Sequence, residues 1–496
     1  MKKFQNFING KWVDAKSGQT FENRNPANWD EVIGVFPKSG KEDVDEAVRA
    51  ARTAFETWRL VPAPKRGDIL RKVGDLMVAR KEALSTQMTK EMGKVLAETR
   101  GDVQEGIDTA YYAATEGRRL FGHTVPSELP NKFNMALRVP IGVAGIITPW
   151  NFPMAIPTWK IFPALLCGNT VVFKPATDTP ATATSLVEIL AEAGVPDGVI
   201  NIVHGGGSDV GMSIVSHPDV DLISFTGSTA VGKKISEVAS ATLKRVSLEL
   251  GGKNAQLVMD DANLELALDG VLWGAFGTTG QRCTATSRLL LHEKIHDVFL
   301  EMLVKRVATL KLGNGLNKGI EVGPCVNESQ RKTVESYVEI GLKQGGKLVS
   351  GGKIPGESGL DKGWFYQPTV FADVQPDHRI AKEEIFGPVL SVIKVKNLEH
   401  GIHILNDTVY GLSSSIYTNS INDAFTAIRD VRAGITYINA PTIGAEAHMP
   451  FGGVKQTGNG HREGGWTVYE FFSEWKSVYV DYSGGLQRAQ IDNYEN

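Results

Sequence analysis

The sequence predicts an α/β fold in which a doubly wound parallel sheet is followed by a second α/β unit. Three observations support this. Short apolar runs rich in β-branched residues occur at Val143–Ile147, Thr170–Phe173, Val199–Val203 and Leu222–Phe225. Segments of helical character separate them, near 154–167, 180–193, 206–216 and 229–240, and continuous apolar strands alternating with helices mark a parallel sheet covered on both faces. After Gly251-Gly252 a second series begins, with strands expected near 255–259, 286–291, 389–394 and 412–417.

The elements follow in order. Ahead of the first strand the chain reads as mostly helical. Val44, Ala47, Val48, Ala51 and Phe55 form one buried helical stripe, and Pro64 opens a second long helix through Ile69, Leu70, Val73, Leu76 and Met77. Beyond the second strand series, Gly345-Gly346 and Gly351-Gly352 read as turns. The stretch Glu470–Val480 reads as an edge strand carrying aromatics, and such edges usually find a partner.

Composition sets the boundaries. A chain of 496 residues, 42% hydrophobic, supports large cores and roughly three domains. A formal net charge of −3 leaves no broad basic surface, so no nucleic-acid partner is expected. Cys167, Cys283 and Cys325 are an odd count without zinc spacing, a reduced cytosolic pattern, and no metal is expected. The start lacks a signal-peptide core, and no run approaches the roughly 18 apolar residues of a membrane span. A cytoplasmic protein without membrane association is expected.

Two residues suggest chemistry. Cys283, in Gly280-Gln281-Arg282-Cys283-Thr284, has small, polar or cationic neighbours, which suits a reactive thiol. Glu249, between two leucines and before two glycines, is placed for the raised pKa that a general base needs. A lone cysteine is as often a small core residue, and such a glutamate is often ion-paired, so the pair alone leaves both readings open.

Phe225-Thr226-Gly227-Ser228 follows a predicted strand and opens a helix, a place for a phosphate. Gly227 to Lys233 nearly matches a P-loop but has Lys234 where Ser or Thr would hold Mg²⁺. His204-Gly205-Gly206-Gly207 resembles a lipase oxyanion motif, but no G-x-S-x-G nucleophile accompanies it, so a turn is the better reading.

Seven segments in order resemble the aldehyde dehydrogenase superfamily over essentially the whole chain. They are Pro149–Pro153, Lys174-Pro175, Phe225–Ser228, Leu248–Gly252, Gly280–Cys283, Glu383–Pro388 and Pro450–Gly453. The resemblance implies NAD(P)-dependent aldehyde oxidation. Cys283 attacks the aldehyde, the Asn151 amide and the Cys283 N–H hold the oxyanion, and Glu249 activates the water that releases the acid. It implies a cofactor, NAD or NADP, held by Trp150, Lys174, Thr177, Gly227, Ser228, Glu384 and Phe386. Phe152, Ala155, Ile156, Trp159, Gly277, Arg282, Thr284 and Phe451 are implied to line the entry tunnel for a small-molecule aldehyde. Lys160 and Glu474 match positions beside a proton path, or an ordinary ion pair.

The implied fold has a Rossmann-like cofactor domain at 1–117 and 139–250 and an α/β catalytic domain at 251–455. A small β oligomerisation arm at 118–138 and 467–487 would pair subunits into a homodimer or homotetramer. Thr177 stands where strict NAD enzymes of the family commonly carry a glutamate, which suggests that NADP is accepted. Arg282 and Thr284 beside the nucleophile resemble the branch acting on carboxylate-bearing semialdehydes such as 2-oxoglutarate or aminoadipate semialdehyde. The alternative is a nucleotide-binding or structural relative without dehydrogenase turnover.

Overall fold

The computed structural model describes residues 2–488, and two seven-stranded sheets organise them. In the first, Arg245–Glu249, Leu222–Thr226, Val143–Ile147, Thr170–Lys174 and Ile200–Ile202 run parallel in that spatial order. Every residue of Val143–Ile147 and Thr170–Lys174 is buried, as continuous apolar strands require. Helices Ala155–Cys167, Pro180–Ala193 and Thr229–Ser240 connect them, close to the expected bounds. Helix Lys41–Trp58 buries Val44, Ala47, Val48 and Ala51 against this sheet. Helix Ala63–Met92 starts with Pro64 in its first turn and packs along Leu96–Glu116.

The N-terminal strands correct the expectation of helix there. Asn6–Ile8 and Lys11–Val13 form a hairpin that closes the first sheet antiparallel to Ile200–Ile202. Asn9 and Gly10, both at positive φ, make its turn, an Asn-Gly signal for a tight hairpin that the periodicity reading passed over. Thr20–Asn25 and Asn28–Pro37 form a further two-stranded ribbon.

The second sheet runs Lys347–Ser350, Thr369–Ala372, Val389–Val395, Thr286–His292, Asn254–Val258, Ser413–Tyr417 and Ile435–Ile438. Its four central strands match the expected ones, and the three flanking strands are additional. A third sheet of three strands pairs Ser473–Asp481 along Lys132–Pro140, with His123–Val125 on the far side. The aromatic tail thus has a partner on one edge within the chain, while Trp475, Tyr479 and Tyr482 remain exposed. No helix among the described residues is long and apolar enough to cross a membrane.

The segment that follows the second sheet returns to the first at Glu249. This residue ends the edge strand of the first sheet, bridges to Gly458, and is followed by Leu250, whose N–H donates to Thr457 O at 2.7 Å.

Candidate active site

Cys283 lies in the loop between the turn Gly277–Gly280 and strand Thr286–His292. Thr278 and Thr279 in that turn sit at φ 52 and 58, a conformation that β-branched residues adopt only under strain. Several bonds hold it there. Glu98 Oε1 accepts the Thr278 N–H at 2.8 Å and the Arg282 Nη2 at 3.0 Å, while Arg282 Nε donates to Thr278 Oγ1 at 2.9 Å. Asn254 Nδ2 donates to the carbonyls of Cys283 and Ala285, at 2.8 and 3.0 Å.

A cavity of about 670 Å³ opens over this loop. Its wall includes Cys283 and Glu249 together with Phe152, Ala155, Ile156, Trp159, Arg282, Thr284 and Phe451. These expected tunnel residues therefore converge. Gly277 does not line the cavity. It is buried, and a Cβ there would meet Glu98 and Trp273. Trp159 and Phe451 pack with ring centroids 4.8 Å apart and join Leu412 in an apolar cluster against Cys283.

Glu249 is buried, and neither carboxylate oxygen has a hydrogen-bond partner among the described residues. Burial raises its pKa well above the carboxylate range, Glu463 adds to the rise, and Lys160 and Arg462 oppose it. A carboxylate held in this way binds a proton more readily than an exposed one, as a general base must. Gly452, at φ +148, lies so close that a Cβ there would be 2.6 Å from Glu249 Oε1.

The thiol differs from the simple expectation of a cation-activated cysteine. Burial pushes Cys283 up to about 12, with Glu384 and Glu249 adding to the rise. Arg282, the neighbouring cation, is paired with Glu98 at 3.0 Å. Cys283 therefore rests as the protonated thiol at neutral pH.

The polar residues behind the cavity also need one correction. Lys160 is bonded to Glu463, within hydrogen-bond reach of Ser224 as well. Glu474 is on the arm strand and pairs with Arg245 at 3.1 Å, the ordinary ion pair of its second reading, and the carboxylate that meets Lys160 is Glu463. The signal was a charged pair, Arg462-Glu463, enclosed by glycine-rich sequence just after Pro450–Gly453.

A second cleft, about 580 Å³, opens at the carboxyl ends of the first sheet's strands, where ligands of doubly wound folds bind. Lys174, Thr177, Gly227, Gly211 and Met212 line it, and Thr226 borders both cavities. Lys174 Nζ donates to Pro175 O, and burial lowers its pKa to about 8. Ser228 caps helix Thr229–Ser240 by accepting the Val231 N–H, leaving that helix start's backbone beside the cleft. Trp150 meets Phe386 edge-on at 5.3 Å, and Phe386 is held at φ 58 while Gln330 donates to its carbonyl. Glu384 accepts the Gly252 N–H at 2.9 Å, and burial raises it to about 7. A Cβ on Gly251 would fall 2.1 Å from Glu384 Oε2, so any side chain there would displace this carboxylate from its present position. His204 begins a plain turn, its ring kept neutral by burial that lowers it to about 3.

A sheet whose nucleotide-sized cleft runs into a cavity shared by a thiol and an unpaired carboxylate is the architecture of a dehydrogenase working through an acyl-enzyme. Residues 12–478 match the Aldehyde dehydrogenase family, and the chain belongs to that family, as an NAD(P)-dependent oxidoreductase of aldehydes. It is 44% identical to an alpha-ketoglutarate semialdehyde dehydrogenase of Haloferax volcanii, covering 96% of this chain and 99% of that protein. It is 42% identical to an alpha-ketoglutaric semialdehyde dehydrogenase of Bacillus subtilis, covering 96% and 98%. The crystal structure of a betaine aldehyde dehydrogenase from Staphylococcus aureus in complex with NAD⁺ superposes with a TM-score of 0.95. It is 36% identical and covers 97% of this chain and 96% of that one.

Proposed function

We propose that the chain oxidises a short aldehyde with a carboxylate at its far end, of the 2-oxoglutarate semialdehyde type, to the corresponding acid, with either NAD⁺ or NADP⁺. The cavity shared by Cys283 and Glu249 is the observation that carries the chemistry. Cys283 passes its proton to solvent water as it adds to the aldehyde carbon, and the Asn151 amide with the Cys283 N–H stabilises the oxygen that becomes charged. A nicotinamide cofactor, when bound in the second cleft, would supply the acceptor for the hydride that leaves this adduct, and the acyl group would remain on Cys283. Glu249 then takes a proton from the water that attacks the acyl carbon, which returns the thiol and releases the acid.

The glycine-edged cleft with Lys174 and Thr177 fits a dinucleotide, Gly227 and the start of the following helix suit its diphosphate, and Ser228 holds that start. Trp150, Glu384 and Phe386 are assigned to the nicotinamide ribose and ring, a role supported by the Trp150–Phe386 contact and by the action of Glu384 on the thiol. Thr177 brings no negative charge against a 2′-phosphate, which supports NADP⁺ acceptance. We assign this cleft to a cofactor domain of residues 1–117 and 139–250, with 251–455 as catalytic domain.

The acid-tail reading draws support from the names of the Haloferax and Bacillus relatives. The cavity wall can accommodate a carboxylate. Glu98 is neutralised by Arg282 and Asp102 by Lys94. Burial raises Glu105 to about 8, so that it holds a proton at neutral pH and can donate to the tail. Among the described residues Arg282 Nη1 makes no hydrogen bond, so it is left for the same end. The exposed aromatics of the arm, 118–138 and 467–487, support a homodimer or homotetramer, and the reduced cysteines support a cytoplasmic setting.

The test is reduced-cofactor formation by purified protein with 2-oxoglutarate semialdehyde and neutral aldehydes of equal length, under both cofactors. Cys283→Ala should abolish oxidation and ester hydrolysis together. Preference for the neutral aldehydes would end the acid-tail assignment, and residual full activity in Cys283→Ala would end the mechanism.

A further inference from the structure

We infer that Lys94 and Asp102, an ion pair buried behind the reacting groups, position the Asn151 amide for the substrate oxyanion. The inference rests on the oxyanion role proposed for Asn151. Lys94 Nζ lies 2.7 Å from Asp102 Oδ2, and neither side chain has any exposed surface. The same ammonium donates to the Asn151 carbonyl at 2.9 Å and stands 3.9 Å from the centre of the Phe152 ring. The other Asp102 oxygen, Oδ1, accepts the Ala155 N–H at 2.7 Å, at the first residue of helix Ala155–Cys167. One ion pair thus grips the main chain at residues 151 and 155, on both sides of the turn carrying the amide.

Asn151 needs such a grip. It is buried, and its Oδ1 has no hydrogen-bond partner among the described residues, so that oxygen does nothing to fix the amide's direction. The main chain must fix it, and Lys94 bonds to the carbonyl of that residue. Stability alone gives no reason for the pair, since apolar residues of similar volume in place of a buried ion pair are often neutral or stabilising. What the pair supplies is three directed contacts from one cation, to a carboxylate, a carbonyl and a ring. Lys94 is fully buried and Asp102, whose side chain has no exposed surface, only borders the cavity, so both act in this scheme as positioning residues through Asn151.

The experiment is a cycle built from Asp102→Asn, Asn151→Ala and their combination, read as the single-turnover rate of reduced-cofactor formation at saturating aldehyde. Asp102→Asn should slow that rate roughly 10- to 100-fold, the size expected from a misplacement of about 1 Å at a reacting centre. In the Asn151→Ala background it should change the rate by less than about 3-fold, because the group it positions is gone. A purely structural role would give the same fold-loss in both backgrounds and would overturn the inference, as would an unchanged rate in Asp102→Asn. Asn151→Ala at the wild-type rate is a separate outcome that removes the oxyanion assignment itself. The paired Lys94→Met/Asp102→Leu protein, which leaves no lone buried charge, should fold and bind cofactor yet show the same loss. Asp102→Glu keeps the pair with a longer arm, should lose less than Asp102→Asn, and carries the same cycle where the charge-removing variants fail to fold.

Discussion

Replacing Glu249 by glutamine separates the proposed second half of the reaction from the first. The change is close to isosteric, and the carboxylate oxygens make no hydrogen bonds that glutamine would lose. Removal of a general base costs about 10²–10⁴-fold, or roughly 2.7–5.5 kcal/mol of barrier at about 1.4 kcal/mol per tenfold. Steady-state oxidation should fall by that factor, whereas a first turnover of reduced cofactor should survive as a burst measured by stopped-flow absorbance. Stability should move the other way. Burial and Glu463 raise the Glu249 pKa in the fold, so native Glu249 binds its proton more tightly than unfolded Glu249 does. Its contribution is complete below the unfolded pKa and is lost as pH rises through the folded value. Glutamine does not titrate, so the variant should match or exceed the wild-type Tm, with the gap widening from acidic to neutral pH. Full steady-state activity in the variant would refute the base assignment. A missing burst would also refute the sequence of steps, because Cys283, raised to about 12, would then depend on Glu249 to lose its own proton.

Other perturbations test the remaining roles. Thr177→Glu should lower kcat/KM for NADP⁺ by several kcal/mol equivalent, as a desolvated like-charge contact does, while sparing NAD⁺. Equal losses with both cofactors would remove Thr177 from the 2′ position. Arg282→Leu breaks a nearly buried pair with Glu98, so denaturant unfolding should show a loss of about 3–5 kcal/mol, together with loss of any preference for the acid-tailed aldehyde. An equal fall in activity on neutral aldehydes would make Arg282 a support for the strained Thr278-Thr279 turn alone. The ratio of kcat/KM for acid-tailed over neutral aldehyde should drop as pH rises through about 8, where Glu105 loses its proton. Cys283 and Glu249 cancel in that ratio, and Asp102, Lys94, Arg282 and Asp108 are the charged groups acting on Glu105. A flat ratio would remove Glu105 from the tail site.

Much of this was legible in the sequence because it depends on local pattern. The inner strands of both sheets are continuous apolar runs, and periodicity placed them within a residue or two. The N-terminal hairpin escaped because its strands are only three residues long, too short to show a period, leaving Asn9-Gly10 as the one signal. The edge strands Lys347–Ser350 and Ile435–Ile438 are only partly buried, so their composition is mixed. Cys283, Glu249 and the tunnel aromatics stood out through motif. Their supports did not, since Glu98, Lys94 and Asp102 reach the site from sequence far away, and no spacing rule links Glu98 to Arg282. The charge state of the thiol was also hidden, for it depends on burial and on Glu384 and Glu249, carboxylates from elsewhere in the sequence.

Gly251 and Gly452 have a consequence for how this protein tolerates change. Each presses bare backbone against a working carboxylate, Glu384 in one case and Glu249 in the other. Neither glycine contributes a functional group, yet even alanine would push the facing carboxylate out of its present place. A saturation scan scored by turnover should therefore show two silent positions as intolerant as the nucleophile itself. Stabilising campaigns that replace glycine to stiffen the chain would disable the protein there while leaving it folded.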